Sequence, residues 1–336
     1  MTIRWMYAAA ISGIAMNLVA CGGDDTGSVA DAGTDTGPVM AMCPMNAPAP
    51  DNQEGPCCSR ASNADRPDAP ELRVAALKLT APQGTLTNAL ILNVLATAFD
   101  KEDFNWIFQL QGAPETGTGS AVVRTGYGVR DDATGHFTFA SGNATPPGDA
   151  DRWNAIELDG TVTDNAFTTT AHHALLTIPI FDPESATPEI PSLELPIYDL
   201  EVLSAPMSDD RTCIGSRGTS AFVTTSGGRL RGYIQVDDSR ALMVTMGTLI
   251  STKLCSLIAG AVFMEAPGDT PYCDGTAQAD WTAKPDSLCG AEGCAKNTSA
   301  ASPDVCDPTG AVGGALPACN AWQLLGEFAA QGVDID

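Results

Sequence analysis

The sequence predicts a mainly β fold, an antiparallel sandwich or a curved sheet, with a few packed helices and a disulfide-rich C-terminal region. Three observations lead there. Short stretches of alternating polar and apolar residues follow one another through the middle of the chain, separated by Gly- or Asp-rich turns. Aromatic residues are sparse at 6%, while Gly (33) and Pro (23) are plentiful, a texture shared by many β-rich exported domains. The 11 Cys crowd toward the end of the chain.

Residues 1–20 carry Arg4 and then the apolar run "MYAAAISGIAMNLVA". That run has signal-peptide length and is short of the ~20 residues a membrane helix needs. It ends in Leu18, Val19, Ala20 and Cys21, a hydrophobic, a variable and a small residue before a cysteine. This quartet resembles the lipobox of bacterial lipoproteins. The resemblance covers only these opening residues; it implies that Cys21 begins the mature chain and carries acyl groups, palmitate among them, on its sulfur and amino group. Two or more acyl chains give a durable hold on a bilayer, at about 0.8 kcal/mol per buried methylene. The implied address is a bacterial membrane, facing the periplasm or the cell surface.

Residues 21–69 read as an acidic tether with a Cys-containing segment. "GGDDTGSVADAGTDTGPVMAM" has no lysine, no arginine and no hydrophobic period, so it buries too little apolar surface to offset its ordering entropy. The net charge of -24 points the same way for partners. A surface this acidic repels phosphate backbones, so no nucleic acid is expected.

The main domain is read over 70–266. "ELRVAALKLTAP" is a first strand, and "TLTNALILNVLATAF" places Leu90, Ile91, Val94, Leu95, Ala98 and Phe99 on one face of a helix capped by Thr87. "FNWIFQLQG", "AVVRTGYGVR", "GHFTFASG", "WNAIELDGTVT", "AFTTTAHHALLTIPIF", "LELPIYDLEVLSAP" and "RLRGYIQV" are successive strands, with Pro179 marking an edge. "DDSRALMVTMGTLISTKLCSLIAGAVFM" is apolar, yet Arg240 and Lys253 count against a span, since a central basic residue costs about 2.5–3.5 kcal/mol. A buried helix or helix pair is expected there. Residues 267–336 form a Cys-rich region, ending in an amphipathic helix over "NAWQLLGEFAAQG" with Ala321, Leu324, Leu325, Phe328 and Ala329 as its stripe.

With Cys21 acylated, Cys43, Cys57, Cys58, Cys213, Cys255, Cys273, Cys289, Cys294, Cys306 and Cys319 remain, an even set that reads as a disulfide framework. Zinc is disfavoured because no CxxC occurs and the only histidines are His136, His172 and His173. Three of these cysteines precede the main body and five follow it. If all pair, at least one bridge leaves each outer group, and if Cys213 pairs with Cys255 a bridge joins the start of the folded region to its tail. Cys57 and Cys58 do not suit each other as partners.

The search for chemistry is negative. No G-x-S-x-G elbow, H-E-x-x-H or Walker A sequence occurs, and the pairing arithmetic leaves no free thiol as a nucleophile. On a strand, His172 and His173 face opposite ways; His172 shares its face with Leu176, Ile178 and Ile180 and is expected at the rim of the core. Asp131–Asp132, Asp209–Asp210 and Asp237–Asp238 lack EF-hand spacing. No catalytic, cofactor or metal residue is assigned. The expected function is a non-catalytic, membrane-anchored envelope lipoprotein with a structural or interaction role, its partners the membrane through its lipid and an envelope protein. Two alternatives stand beside it: a carrier of lipid or another apolar ligand in a cavity of the β domain, and a carboxylate-based hydrolase.

Overall fold

The computed structural model describes residues 61–82, 95, 98–99, 103–140, 153–181, 191–217, 222–246, 250–259, 281–299, 303–310 and 314–336. These belong to one unit, Met40–Asp336; the other, Met1–Val39, lies outside the described residues, as do Cys21, Cys43, Cys57, Cys58, Cys273 and most of the 85–99 helix. The elements in chain order are β1 (Glu71–Ala81), β2 (Trp106–Gln111), β3 (Thr118–Arg130), β4 (Phe137–Phe139), β5 (Ile156–Thr163), β6 (Ala166–Thr169), β7 (Leu175–Ile180), β8 (Leu193–Pro206) and β9 (Cys213–Ile214). There follow β10 (Ser216–Arg217), β11 (Phe222–Val223), β12 (Gly228–Gln235), α1 (Val236–Ala241), β13 (Met243–Met246), β14 (Ile250–Lys253), α2 (Leu254–Ala259), β15 (Ser287–Gly290), β16 (Gly293–Lys296) and β17 (Ala321–Gly332).

The main sheet closes on itself. Antiparallel ladders run β1–β2–β3–β5–β6–β8–β12–β17, and β17 pairs back onto β1. The mainly β reading of the sequence is therefore right, and the curved sheet is a closed barrel without free edges along this path. Alternation makes the wall. Trp106, Phe108 and Leu110 of β2 are buried in the core, and so are Leu158 and Val162 of β5. β5 exposes Glu157, Asp159, Thr161 and Thr163 in between. Pro179 lies, as expected, in an edge strand: β7 pairs with β8 and stands off the barrel path.

The C-terminal helix expected from the sequence is instead β17. The apolar residues that mimic a helical stripe come from a strand buried on both faces. Trp322, Leu324, Phe328 and Ala330 join the barrel core, with Gly326 between them. Gly326 leaves room there: a Cβ would sit 3.2 Å from Leu230 and from Leu77. On the other face Ala321 packs with Tyr233 and Cys289. The residues from 321 to 332 are thus part of the barrel and not an appendage to it.

The apolar segment after β12 is likewise divided: short helix α1, the β13–β14 hairpin and α2, every residue of which is buried. Leu254, Leu257, Ile258 and Trp281 join the same core as the barrel strands. Leu95, Ala98 and Phe99 are helical and buried in that core too. No helix among the described residues is long and apolar enough to cross a membrane.

Candidate functional site

Three places carry chemistry-bearing side chains: the barrel interior, the histidine pair, and the junction between the segment that leads into β1 and the barrel. An eight-stranded barrel is at the size where side chains either fill the interior or leave room for one small ligand. Here aromatic rings occupy it. Phe108 stacks on Trp106 (centroids 5.5 Å apart) and on Phe328 of β17, two strands away past β1 (5.8 Å), and tilts against Phe167 (6.3 Å). Three strands, β2, β6 and β17, thus meet at one ring. Their polar handles are satisfied: Trp106 Nε1 donates to Thr125 Oγ1 at 2.8 Å, and that hydroxyl donates to the Ile107 carbonyl at 3.0 Å. Trp322, stacked on Trp281 at 5.6 Å, donates to the Ala283 carbonyl at 2.9 Å.

A second aromatic group, Tyr127, Trp153 and Phe181, packs edge-on or tilted with centroids 5.7–5.8 Å apart. Burial, and then the charge of Asp103, push the Tyr127 hydroxyl up to about 12. It remains a neutral donor at any physiological pH.

The histidine pair departs from expectation. The segment read as one long strand is two, β6 and β7, and both histidines are exposed in the connection between them. It is His173, not His172, that is hydrogen-bonded. Its Nδ1 lies 3.0 Å from Oδ1 of Asp199, whose Oδ2 accepts the Cys294 N–H at 2.6 Å. Asp199 is buried and has φ +48°, an unusual conformation for a non-glycine residue. Gly293, at φ +109°, has to be a glycine, because a Cβ there would run into the His173 ring and sit 2.8 Å from Asp199 Oδ2. The arrangement orients an imidazole. Among the described residues no hydroxyl or thiol is hydrogen-bonded to that ring. Its evident effect is to hold the β15–β16 hairpin against β8.

The acidic doublets stay apart and serve turns. Asp131 Oδ1 accepts the Ala133 N–H at 2.7 Å, which lowers its pKa. Asp210 Oδ1 accepts from Ser208 Oγ at 2.5 Å and from the Thr212 N–H at 3.1 Å. Burial opposes its charge, but these bonds outweigh it and its pKa falls. Asp237 pairs with Arg240 at 3.1 Å within α1. Among the described residues no three His, Cys, Asp or Glu side chains gather as a metal site would need.

The junction is a densely bonded polar region. Asn63, fully buried, donates its backbone N–H to Thr212 Oγ1 (3.1 Å) and its side-chain Nδ2 to the Glu71 and Arg211 carbonyls (3.1 and 2.9 Å). Its Oδ1 accepts from the Glu71 N–H and from Arg66 Nε (3.1 and 2.8 Å). Arg66 bridges Glu71 (2.5 Å) and Asp334 (3.1 Å), while Glu71 also accepts the Ile335 N–H at 2.8 Å. Ala61 donates to the Gly332 carbonyl at 3.1 Å. Beside it Arg211, buried and at φ +55°, donates to the carbonyls of Pro67, Pro114, Glu115 and Asp164 and to Asn165 Oδ1. One guanidinium, with its five donors in a fixed fork, ties the entry segment to two barrel turns. Sequence inspection passed over Asn63, Glu71 and Arg211, because nothing local separates a buried hub from a surface polar residue.

The cysteines divide as follows. Cys289–Cys294 and Cys306–Cys319 are disulfides. The first spans directly paired residues of the β15–β16 hairpin. Asn297, buried beside the second, donates to the Cys306 carbonyl at 2.9 Å. Cys213 and Cys255 are also disulfide-bonded.

The class defined by these features is a closed, antiparallel, eight-stranded barrel with an aromatic-filled interior and a disulfide-braced cover. Comparison with protein-family models, with curated proteins and with solved structures finds no match.

Proposed function

We propose that this chain is a lipid-anchored bacterial envelope lipoprotein, acylated at Cys21, whose barrel is a non-catalytic module with a structural or interaction role. The observation that carries the reading is the filled interior. Phe108, Trp106, Phe167 and Phe328 are completely buried against one another, and stacked rings of this kind make a rigid packed core instead of a cup. The lipobox-like quartet ending at Cys21 supports the anchor, and the acidic stretch behind it supports a spacer between lipid and barrel. The charge of -24 favours partners other than nucleic acid or bare anionic lipid.

Expression in a bacterial host with a labelled fatty acid tests the anchor: the native chain incorporates label and sediments with membranes, and Cys21→Ser does neither. Unlabelled Cys21 in membrane-extracted protein refutes it. Native mass spectrometry of the barrel, freed from its anchor, tests the role: bare protein mass is expected, and stoichiometric co-purifying lipid would replace this reading with that of a carrier.

A further inference from the structure

We propose that Cys289–Cys294 is a thiol–disulfide exchange site, opened at Cys294 by an incoming dithiol while Cys306–Cys319 stays closed. Such a site goes beyond the anchoring and structural role and does not depend on acylation of Cys21. The two bonds differ in access. Cys306 and Cys319 are 0% and 1% exposed, and Asn297 Nδ2 lies 3.6 Å from both of their sulfurs while it donates to the Cys306 carbonyl. Cys294 is half-buried, and the turn that joins it to Cys289 exposes Gly290, Ala291 and Glu292. Exchange begins with attack of a thiolate on a disulfide sulfur, so the reachable bond is the labile one.

The hairpin gives this bond a distinct job. Opposed residues in an antiparallel ladder alternate between pairs that exchange backbone hydrogen bonds and pairs that do not. Cys289 and Cys294 stand directly opposite each other, yet each N–H is donated elsewhere, that of Cys289 to Asn320 Oδ1 at 2.7 Å and that of Cys294 to Asp199 Oδ2 at 2.6 Å. Asn320 Nδ2 returns a bond to the Cys289 carbonyl at 2.9 Å. Cys289, packed with Tyr233 and Ala321, is thus held at the start of β17. Cys294 is held on β8 by Asp199, the residue that also orients His173. The sulfur bridge is the covalent tie between these two anchorages.

The reaction partner is a dithiol, carried by a protein or a small molecule. One of its sulfurs, as the thiolate, bonds to Cys294 Sγ; the disulfide breaks, and its electron pair leaves on Cys289 Sγ, which takes up the attacker's proton. The second thiol of the partner then displaces Cys294, gives it a proton, and closes the partner's own disulfide. Two electrons and two protons pass to the cysteine pair, and the dithiol is the species oxidised. Cys289 stays fixed by Asn320, so the β16 side of the hairpin is the part set free to leave Asp199 and His173.

Differential alkylation of the full mature chain tests this. The native protein is exposed to a series of dithiothreitol concentrations, quenched with light iodoacetamide, then unfolded, fully reduced and alkylated with the heavy reagent. Trypsin places Cys289 and Cys294 in Leu254–Lys296, Lys284 being shielded by Pro285, and Cys306 and Cys319 in the fragment that begins at Asn297. Fragmentation reads the light-to-heavy ratio at each cysteine. Light label is expected on Cys289 and Cys294 about tenfold sooner than on Cys306 and Cys319, whose exchange waits for local unfolding. Tryptophan fluorescence of the same samples should still be native when the first pair is labelled, and the His173 imidazole resonances should shift in step with that label. Equal or earlier labelling of Cys306 and Cys319, or labelling of Cys289 and Cys294 only after native fluorescence is lost, overturns the proposal.

Discussion

Truncation of Phe108 to alanine tests whether the barrel is a packed core. The ring is wholly buried and meets Trp106, Phe167 and Phe328 at centroid distances of 5.5, 6.3 and 5.8 Å. Phe→Ala in a core costs about 3–5 kcal/mol, the sum of lost transfer energy and the cavity left behind, and each aromatic pair adds about 0.5–1.5 kcal/mol beyond area. The upper part of the range applies, because the four rings sit on β2, β6 and β17, strands of a closed ring that cannot collapse inward without shearing its ladders. We expect about 4–5 kcal/mol. With a urea m-value of about 3 kcal/mol/M, the midpoint falls by about 1.5 M, read from tryptophan fluorescence with disulfides intact. Phe108→Leu, which keeps most of the volume, should cost about 1–1.5 kcal/mol. The new cavity is lined by apolar rings and stays dry, so benzene should raise the midpoint of Phe108→Ala and leave the native protein unchanged. A loss below about 1 kcal/mol, or benzene binding to the native barrel, would mean that the interior is a ligand space, and the functional reading would fail with it.

Three further outcomes follow from polar geometry. Arg211→Met removes the donors from five oxygen acceptors. Abandoned buried acceptors cost about 1–3 kcal/mol each, and water reaches those that are only partly covered, so a net loss of about 3 kcal/mol is expected in urea unfolding. Arg211→Lys should recover little of it, since a single ammonium cannot span the set. Gly293→Ala combines a φ of +109° with a collision at the His173 ring; it should cost about 2 kcal/mol and shift the His173 imidazole resonances as the ring leaves Asp199. His136 is exposed; its hydrogen bond to Asp336 (3.0 Å), opposed by a smaller desolvation and aided by the charges of Asp336, Asp334 and Asp131, raises its pKa above 6.5. A raised pKa means that this pairing stabilises fully below pH 6.5 and fades as pH climbs through the folded-state value. His136→Gln should therefore lower Tm relative to the native chain at pH 5.5 and match it at pH 8.5.

The strands were legible where one face is buried and the other is wet. β5, "IELDGTVT", alternates so plainly that its sequence and its burial pattern coincide. β17 was misread because neither face is wet. Its interior set, Trp322, Leu324, Gly326, Phe328 and Ala330, holds to even positions, and the polar Gln323, Glu327 and Gln331 all fall on odd ones, a period of two that was present in the text. The alanines and Leu325 on the odd face blurred it into a helical stripe, the ambiguity expected of short, doubly buried apolar runs. The histidine pair failed differently: a turn divides the segment, so the face rule for strands did not apply. The Asp199 partner, 26 residues away, had no local signature at all.

Closure of the barrel could not be seen in the sequence, and it explains what the cysteines are for. β1 meets β17 across nearly the whole folded chain, with Leu72 opposite Gly332 and Ala81 opposite Leu325. So distant a pairing carries a large loop-closure cost before any contact repays it. The Cys-rich segment just before β17 is poor in apolar residues, yet it has to cover the strand's outer face. A bridge such as Cys306–Cys319, at a separation of 13, restricts the unfolded chain by about 3 kcal/mol and fixes that cover where burial alone would not. The entry segment bonds at the C-terminal end of that strand, Ala61 to the Gly332 carbonyl and Arg66 to the Val333 carbonyl.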